Sequence, residues 1–295
     1  MKEKLWGLYT EHYKKLFVLP LVLILLSIGI LAYNYTTTGD IIDKDVSLRG
    51  GTTATIYTPQ QYPNLEQQLT ERFPEGDFFV RELTEFGTEV PIGIVVEGSN
   101  TEPEELQVAL EELTGLTLSS DNYSVEFVGA SLGESFYKQM VFAILLAFIF
   151  MAIVVFIAFR VPIPSLMVVA AAFGDMLCTL AVISLFDIQL STAGIAAILL
   201  LNGYSVDTDI LLTTRVLKKG AEGALFERLF NAMRTGLTMT ATTIAALGLG
   251  YFVATSLVLK QMFLIIIIGL VFDVIMTYCF NAGLLIWYMK RRNLE

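Results

Sequence analysis

The chain has 295 residues, of which 55% are hydrophobic and 16% charged, and its formal net charge is −10. Its mean hydropathy of +0.64 is too apolar for an ordinary soluble domain of this length. The composition therefore indicates a membrane protein.

Apolar stretches of about the 20 residues needed to cross a bilayer occur six times along the chain. They divide it into a basic lead at 1–15, a first transmembrane helix at 16–36, a polar domain at 37–137, and helices two to six with a basic tail in 138–295. The first apolar run is longer than that of a signal peptide, and no small-residue cleavage site follows it. We therefore expect an uncleaved helix. The six predicted spans are 16–36, 139–159, 164–186, 191–213, 236–258 and 262–289.

Lysine and arginine positions predict the orientation of these spans. Basic residues precede helix one, separate helices two and three as well as four and five, and follow helix six. Short basic loops stay in the cytoplasm, so both termini are predicted to be cytoplasmic in a multi-pass protein of the cell membrane. Among the basic residues that flank spans, Lys138 and Lys260 fall on the outer side and oppose this orientation.

The polar domain at 37–137 carries nineteen acidic residues against four basic ones, a net charge of −15, and is predicted to be extracytoplasmic. Alternating and β-branched stretches predict strands at 46–58, 78–84, 91–97 and 122–128, with helices at 61–73 and 102–114. The order β-α-β-β-α-β is typical of a ferredoxin-like α+β domain. Since it contains neither Cys nor His, no catalytic centre, cofactor site or metal site is predicted.

The segment 221–234 lies between helices four and five. Its apolar residues recur at helical spacing among basic ones, which predicts an amphipathic helix in the cytoplasmic interface.

Four aspartates fall inside predicted spans: Asp175 in helix three, Asp207 and Asp209 in helix four, and Asp273 in helix six. A charge in hydrocarbon costs about 2.5 to 3.5 kcal/mol on insertion scales, so such acids usually face a bundle interior, a partner or a water path. Residues two apart on a helix point about 200° apart. Asp207 and Asp209 therefore cannot both face one neighbour in a regular helix, and one of them is predicted to be the working group.

Asp207 is the favoured proton-carrying group, and Arg234 at the start of helix five is its predicted counter-charge. Desolvation and a nearby guanidinium shift a carboxyl pKa in opposite directions, so a balanced pair can exchange a proton near neutral pH. Asp209, Asp175 and Asp273 are further candidates, although interhelical hydrogen bonding also explains them, and Asp209 has Arg215 as an alternative partner. The residues predicted to support the site are Gly203, Tyr204, Ser205, Thr235, Thr238, Thr242 and Thr243.

Four stretches resemble the SecF family of the SecD–SecF protein-export complex. They are DVSLRGGTTATI (45–56), VGASLGESF (128–136), GYSVDTDILLTTR (203–215) and RTGLTMTATT (234–243). With the six-span layout and one domain after the first span, the resemblance covers nearly the whole chain.

The resemblance implies half of an RND-type transporter that promotes export of secreted polypeptides with the proton-motive force. The implied partners are SecD, the Sec translocon channel, unfolded secretory polypeptides and the lipid bilayer, with no nucleic acid. The family's proton-linked groups, an acid in helix four and an arginine at the start of helix five, map to Asp207 or its neighbour and to Arg234.

The chain departs from the bacterial pattern at Thr208, where bacterial members usually have an acid. The segment GYSVDTDILL instead is similar to the corresponding segment of SecD, whose acid aligns with Asp207, and this form resembles archaeal members. Either Asp207 carries the proton, or proton coupling has weakened here or moved to SecD.

Three alternatives use the same residues differently. A small-molecule RND-like exporter would need two copies of this half. A non-catalytic assembly subunit would tolerate Asp207→Asn. An intramembrane aspartyl protease is disfavoured, because the paired motifs of such enzymes are absent from the sequence.

Overall fold

A computed structural model of the chain describes residues 9, 13–84, 90–217 and 225–292. Six of its helices are long and apolar enough to cross a membrane, which confirms the predicted polytopic architecture. Most of the basic lead at 1–15 and the end of the tail lie outside the described residues. In chain order the helices are α1 (Tyr13–Leu16), α2 (Val18–Thr38), α3 (Val46–Arg49), α4 (Leu65–Arg72), α5 (Pro103–Thr114), α6 (Ala130–Phe159), α7 (Pro162–Leu185), α8 (Thr192–Leu217), α9 (Leu225–Val253), α10 (Leu257–Ile275) and α11 (Ala282–Arg291), and a π-helix at Met276–Asn281 joins the last two.

Helices α7, α8 and α10 form the centre of the membrane part. Helix α8 packs against α7, α9 and α10, while α2 covers α7 and α6 lies along α7 and α8. The peripheral helices α2, α6 and α9 bury little of their surface inside the chain, whereas α7, α8 and α10 bury much more. A buried polar site therefore has to lie among the three central helices.

The fifth span differs from its prediction at its start. Residues 225–234 belong to the same continuous helix as the span, and 221–224 lie outside the described residues. The apolar stripe of this segment packs on protein, because Leu225, Leu229 and Ala232 are buried in a cluster with residues of α8 and α11. Within the described residues, 225–234 are therefore the start of the fifth span and do not form a separate interfacial helix.

The polar domain has the predicted ferredoxin-like order. Its strands are β1 (Gly51–Ile56), β2 (Phe78–Thr84), β3 (Pro91–Gly98) and β4 (Tyr123–Val128), arranged as an antiparallel sheet in the order β2-β3-β1-β4. Helices α4 and α5 cover one face and bury Leu65, Leu69, Leu106 and Leu110 against it. The opposite face of the sheet turns toward the loops that join the membrane helices.

Two consecutive glycines connect the domain to the second span. Gly50 has φ +87°, in the left-handed region, and a Cβ atom there would lie 2.4 Å from Cα of Ala130, the first residue of α6. Only glycine combines that backbone conformation with so close an approach. Gly50 thus lets the start of the sheet lie directly against a transmembrane helix, whereas a Cβ atom at Gly51 would meet the Gly98 carbonyl of β3.

A backbone ladder fastens the domain to the loop between α7 and α8. The amide of Leu190 donates to the carbonyl of Asp43 (2.7 Å), and the amide of Asp45 donates to the carbonyl of Leu190 (3.0 Å). The amide of Thr192 donates to Oγ of Ser47 (3.0 Å), which extends the contact to the first turn of α8.

Side chains complete this attachment. The Arg81 guanidinium donates to Oε1 of Gln189 (3.0 Å) and to Oε2 of Glu97 (3.2 Å). Gln261 of α10 bonds both the Gln189 carbonyl and the Ser191 hydroxyl. The domain is therefore held by hydrogen bonds to the loop and first turn that begin α8, and Gln261 ties this same loop to α10. We call this set of contacts the docking network.

Two acids of the docking network have perturbed titration. Burial raises the pKa of Asp45, against hydrogen bonds from Ser47 and the charge of Arg81. Burial also raises the pKa of Glu97, which faces Arg81 and Asp45. In each case burial raises the free energy of the ionised carboxylate more than that of the neutral acid.

We predict that docking strengthens as the pH falls through the range just above the ordinary pKa values of Asp and Glu. The docked state binds these protons more tightly than the undocked state, so its stability decreases as the pH rises through the raised pKa values. Amide exchange at Asp45 and Leu190, corrected for its intrinsic pH dependence, reports docking. In Glu97→Gln the pH dependence should diminish, whereas the exposed control Glu112→Gln should retain it. An unchanged profile in Glu97→Gln would contradict this assignment.

Candidate functional site

Three of the four membrane aspartates meet at the centre of the helix bundle. Asp175 of α7, Asp209 of α8 and Asp273 of α10 are 1%, 0% and 0% exposed, and their carboxyl groups are close enough to interact electrostatically. We call these three residues the buried carboxyl cluster. Since burial removes them from water, each must be satisfied by protein groups or neutralised.

Hydrogen bonds within the cluster connect α8 to its neighbours. Ser205 Oγ donates to Oδ2 of Asp175 (2.5 Å), and Asn281 Nδ2 donates to Oδ1 of Asp209 (2.8 Å). Thr277 Oγ1 donates to Oδ1 of Asp273 (3.2 Å). Each carboxyl group therefore has one oxygen bonded to a neutral side chain.

The second oxygen of each carboxyl group has no hydrogen-bond partner among the described residues. The ion pairs found within the described ranges all lie in the polar domain or at its junctions, so none compensates the cluster. In the same part of the chain, no three acidic, His or Cys side chains are arranged to hold a metal ion. The three carboxyl groups can hold and exchange protons. A carboxyl group that takes up a proton becomes a hydrogen-bond donor, and the free oxygen of a neighbouring carboxyl group can accept that bond.

The π-helix at Met276–Asn281 builds one wall of the cluster. It brings Thr277 to Asp273 and Asn281 to Asp209, and the Tyr278 carbonyl accepts a hydrogen bond from the Tyr9 hydroxyl (2.7 Å). Single π-helical turns inside α-helices are rare and often occur at functional sites.

Asp207 lies on the opposite face of α8. It is exposed, as are Gly203 and Tyr204 one turn earlier, whereas Ser205, Thr208 and Asp209 are buried. This agrees with the expectation that Asp207 and Asp209 face different neighbours. Asp209 joins the buried carboxyl cluster, and Asp207 lies on a surface that no described residue of the chain covers.

Arg234 is also exposed, at the start of the fifth span. Among the described residues it forms no ion pair with Asp207. Arg234 lines a groove together with Arg215, which is eight residues from Asp207 and thus about 12 Å along the helix. This axial offset accounts for the missing ion pair within the single chain.

Arg215 binds α9 and not Asp209, so the alternative pairing considered from the sequence does not form. Its guanidinium donates to the Asn231 carbonyl (3.2 Å) and to Oγ1 of Thr235 (3.0 Å). The other predicted threonines of α9 donate to carbonyls of the preceding turn of their own helix. They are Thr238, Thr242 and Thr243.

The sequence analysis missed several residues that contact or surround the buried carboxyl cluster. Thr277, Tyr278 and Asn281 lie in the irregular turn of the sixth span, and helical periodicity does not indicate a π-helix. Asn281 could have indicated this site, because an amide side chain buried inside an apolar span usually forms hydrogen bonds between helices. Gly236 of α9 was also missed. A Cβ atom there would lie 2.1 Å from the Tyr278 hydroxyl and 3.1 Å from Cγ2 of Thr208.

A protein-family model described as protein export membrane protein SecD/SecF, C-terminal, matches residues 109–291. The chain belongs to the SecD/SecF family. It is 36% identical to the protein-export membrane protein SecF of Methanolacinia petrolearia, with 94% of each chain covered. It is 35% identical to SecF of Pyrococcus furiosus, covering 99% of this chain and 96% of the relative, and 32% identical to SecF of Haloferax volcanii, covering 95% and 94%. All three relatives are archaeal, which confirms the archaeal resemblance.

Solved SecDF structures share the fold. The crystal structure of SecDF from Thermus thermophilus, a translocon-associated membrane protein, aligns with a TM-score of 0.73 at 19% identity. The alignment covers 95% of this chain but 38% of the SecDF chain. SecDF in its super-membrane-facing form aligns with a TM-score of 0.59 and covers 98% of this chain and 39% of the other. The present chain therefore spans about two fifths of the length of these structures and shares their fold, with six spans and one inserted domain.

We predict that Gly236→Ala destabilises the bundle and that Tyr278→Phe relieves the effect. The added Cβ overlaps the Tyr278 hydroxyl, and overpacking of this kind costs about 1 to 3 kcal/mol. Because that hydroxyl has no hydrogen-bond partner in the described structure, Tyr278→Phe alone should be nearly neutral. Thermal unfolding of the four proteins in one detergent forms a double-mutant cycle. Additive effects of the two substitutions would exclude the contact as the cause.

Proposed function

We propose that this chain is the SecF-type subunit of a two-chain membrane complex in which a SecD-type chain supplies the other half. The SecF names of the full-length relatives support it. The match to about two fifths of a single SecDF chain also supports it. The observation that carries the proposal is the composition of the exposed face formed by α8 and α9. We call this face the seam.

The seam differs in composition from the exposed face of α6, which resembles a lipid-contacting surface. The exposed residues of α6 are large and apolar, with Phe150 63%, Val154 58% and Ile157 63% exposed. The seam mixes small, hydroxyl and charged residues with apolar ones. Its groove of about 890 Å³ on α9 is lined by Arg234, Thr238 and Thr242 together with Phe230, Met233 and Leu237. Its exposed members include Gly203, Tyr204, Asp207, Arg234, Thr238 and Thr242.

Small and hydroxyl residues at such spacing are typical of helix–helix interfaces in membranes. A lipid-facing aspartate and a lipid-facing arginine would each add several kcal/mol of insertion cost. A partner helix that provides polar contacts removes most of this cost. The seam is thus the surface on which SecD is expected to pack.

Proton coupling is assigned to the seam, as the sequence predicted. Asp207 faces the partner, and a change in its protonation alters the charge within the interface. Arg234 is exposed at the start of the fifth span and is the proposed counter-charge once the complex has closed around it. The buried carboxyl cluster is a second, separate set of protonatable groups, which holds α7, α8 and α10 together.

In this assignment the complex acts at the cell membrane beside the translocon channel and assists unfolded secretory polypeptides as they cross. The polar domain lies on the extracytoplasmic side, and the termini lie in the cytoplasm, as the distribution of basic residues predicts. Membership of the SecD/SecF family favours this function over small-molecule export.

We predict that Asp207→Asn abolishes most of the gradient-dependent part of protein export while assembly with SecD persists. The amide keeps the size of the side chain but cannot exchange a proton. Export into proteoliposomes is measured with and without an imposed proton gradient, and SecD is quantified by copurification.

Asp209→Asn is the matched control, since it makes the same change two residues away on the other face of α8. It should retain gradient-dependent export, because an asparagine at this position can still accept the Asn281 hydrogen bond. Full activity of Asp207→Asn would contradict proton coupling at the seam and leave a non-catalytic assembly subunit. Loss only in Asp209→Asn would move the coupling to the buried carboxyl cluster.

A second prediction concerns the seam itself. The substitution Tyr204→Cys, made in a variant that lacks Cys178 and Cys279, should allow cross-linking of this position to SecD in membranes. A cysteine at Phe150 on α6 is the control and should not form them, because this residue faces lipid in the proposed arrangement. The reverse pattern would place SecD on another face.

A further inference from the structure

The edge strand β4 presents unpaired backbone groups. It lies at one end of the sheet and pairs with β1. Just beyond the two strands, the amide of Tyr57 donates to the carbonyl of Asn122 (2.9 Å), and the register places these residues opposite each other. Hydrogen-bonded pairs alternate with non-bonded pairs along an antiparallel ladder. Every second residue of β4 therefore bonds β1, and the intervening residues Val125 and Phe127 direct their amides and carbonyls away from the sheet.

The side chains of the same two residues are apolar and exposed. Val125 lies opposite Ala54 and Phe127 lies opposite Thr52, so both are on the face of the sheet that α4 and α5 cover. The helices leave this end of β4 uncovered, because Val125 is 41% exposed and Phe127 is 51% exposed. The edge thus offers free backbone groups and uncovered apolar surface at the same positions.

The two edges of the sheet differ in how they are protected. Natural proteins usually protect exposed edges with charged residues, proline or a β-bulge. The other edge, β2, has an irregular register between Leu83 and Thr84, and its Arg81 belongs to the docking network. By contrast, β4 pairs with β1 without an irregularity and contains no proline, and the side chain of its one charged residue, Glu126, lies on the open face. An edge of this kind is suited to accept a further strand.

The position of β4 indicates which chain supplies that strand. Ser124 and Glu126 line a cleft together with Thr255 and Ser256, which lie in the turn after α9. Since α9 forms part of the seam, β4 lies next to the end of the surface on which SecD is expected to pack. This chain aligns with 38% of the SecDF chain, which leaves the larger part of such a complex to the partner. An interface that covers the seam therefore continues onto β4.

We propose that an extended strand from the extracytoplasmic part of the SecD-type partner pairs with β4 and enlarges the sheet. Its backbone bonds the outward amides and carbonyls of Val125 and Phe127. Its side chains alternate, with apolar residues beside Val125 and Phe127 on the helix-covered face and polar residues on the face of Glu126. The inference rests on the proposed function and identifies where the partner binds outside the membrane helices.

Amide exchange resolved to single residues tests this pairing in nanodiscs. In the chain alone, the amides of Ser124 and Glu126 should exchange slowly because they bond β1, and those of Val125 and Phe127 should exchange fast. Assembly with SecD should slow exchange at Val125 and Phe127 by about tenfold or more, since an amide within a strand ladder exchanges only when the ladder opens. Unchanged exchange at both residues in a complex that retains SecD would overturn the pairing.

The substitution Val125→Pro removes one outward amide and no hydrogen bond to β1, and proline is tolerated at such positions of an edge strand. It should abolish most of the SecD-induced protection at Phe127. Val125→Thr is the matched control, because it retains the amide and the β-branched shape and should retain the protection. Thermal unfolding of each variant without SecD reports whether the domain is folded. Equal protection at Phe127 in two folded variants would contradict backbone pairing.

Two other occupants of the edge give different results. Protection of Val125 and Phe127 in nanodiscs that hold two copies of this chain and no SecD would identify a second copy as the partner. Protection that appears only after an unfolded polypeptide is added would identify the exported chain. Either result overturns the assignment to SecD.

The cross-link at Tyr204→Cys separates this inference from the proposed function. If SecD cross-links at the seam while Val125 and Phe127 remain unprotected, the strand pairing fails and the proposed function stands. If SecD neither copurifies nor cross-links, the proposed function fails, and the pairing that rests on it fails with it.

Discussion

The cost of an unsatisfied charge in a low-dielectric medium determines how this protein is built. Helix α8 satisfies that constraint in two ways on opposite faces. Asp209 is buried and bonded to Asn281, within a cluster that includes Asp175 and Asp273. Asp207, two residues away, is exposed and therefore requires a partner outside the chain. One helix thus connects the interior of the subunit to the surface on which we propose that its partner packs.

The same helix also begins at the domain. The loop before α8 pairs its backbone with residues 43–45, and Thr192 in the first turn bonds Ser47. Gly50 places the start of α6 against the sheet. The domain is consequently attached to the ends of two transmembrane helices, α6 and α8, so a tilt of α8 moves the domain as well as the seam. The attachment consists largely of neutral hydrogen bonds, which permit such adjustment at modest cost.

Much of this arrangement could be predicted from the sequence, and the remainder has identifiable physical reasons for escaping prediction. Alternating strands and apolar runs specify the domain and the spans, because period and length are local properties. The 200° separation of Asp207 and Asp209 follows from helix geometry alone. Which of the two faces the interior depends on packing by α7 and α10, which no local pattern encodes. The continuous α9 was mistaken for two elements, because an apolar stripe looks the same against lipid and against protein.

Two hydrogen bonds join α8 to the rest of the bundle and would carry the effect of the proposed charge change at the seam. Ser205 to Asp175 fixes α8 to α7, and Asn281 to Asp209 fixes it to the π-helix. A rotation or shift of α8 that follows protonation of Asp207 must strain or exchange at least one of them. Each carboxyl group of the buried cluster also has a second oxygen without a partner, so alternative hydrogen-bonded arrangements exist with few new contacts. The buried cluster can therefore form alternative hydrogen bonds if α8 moves, and in the proposed function a charge change at Asp207 selects between them.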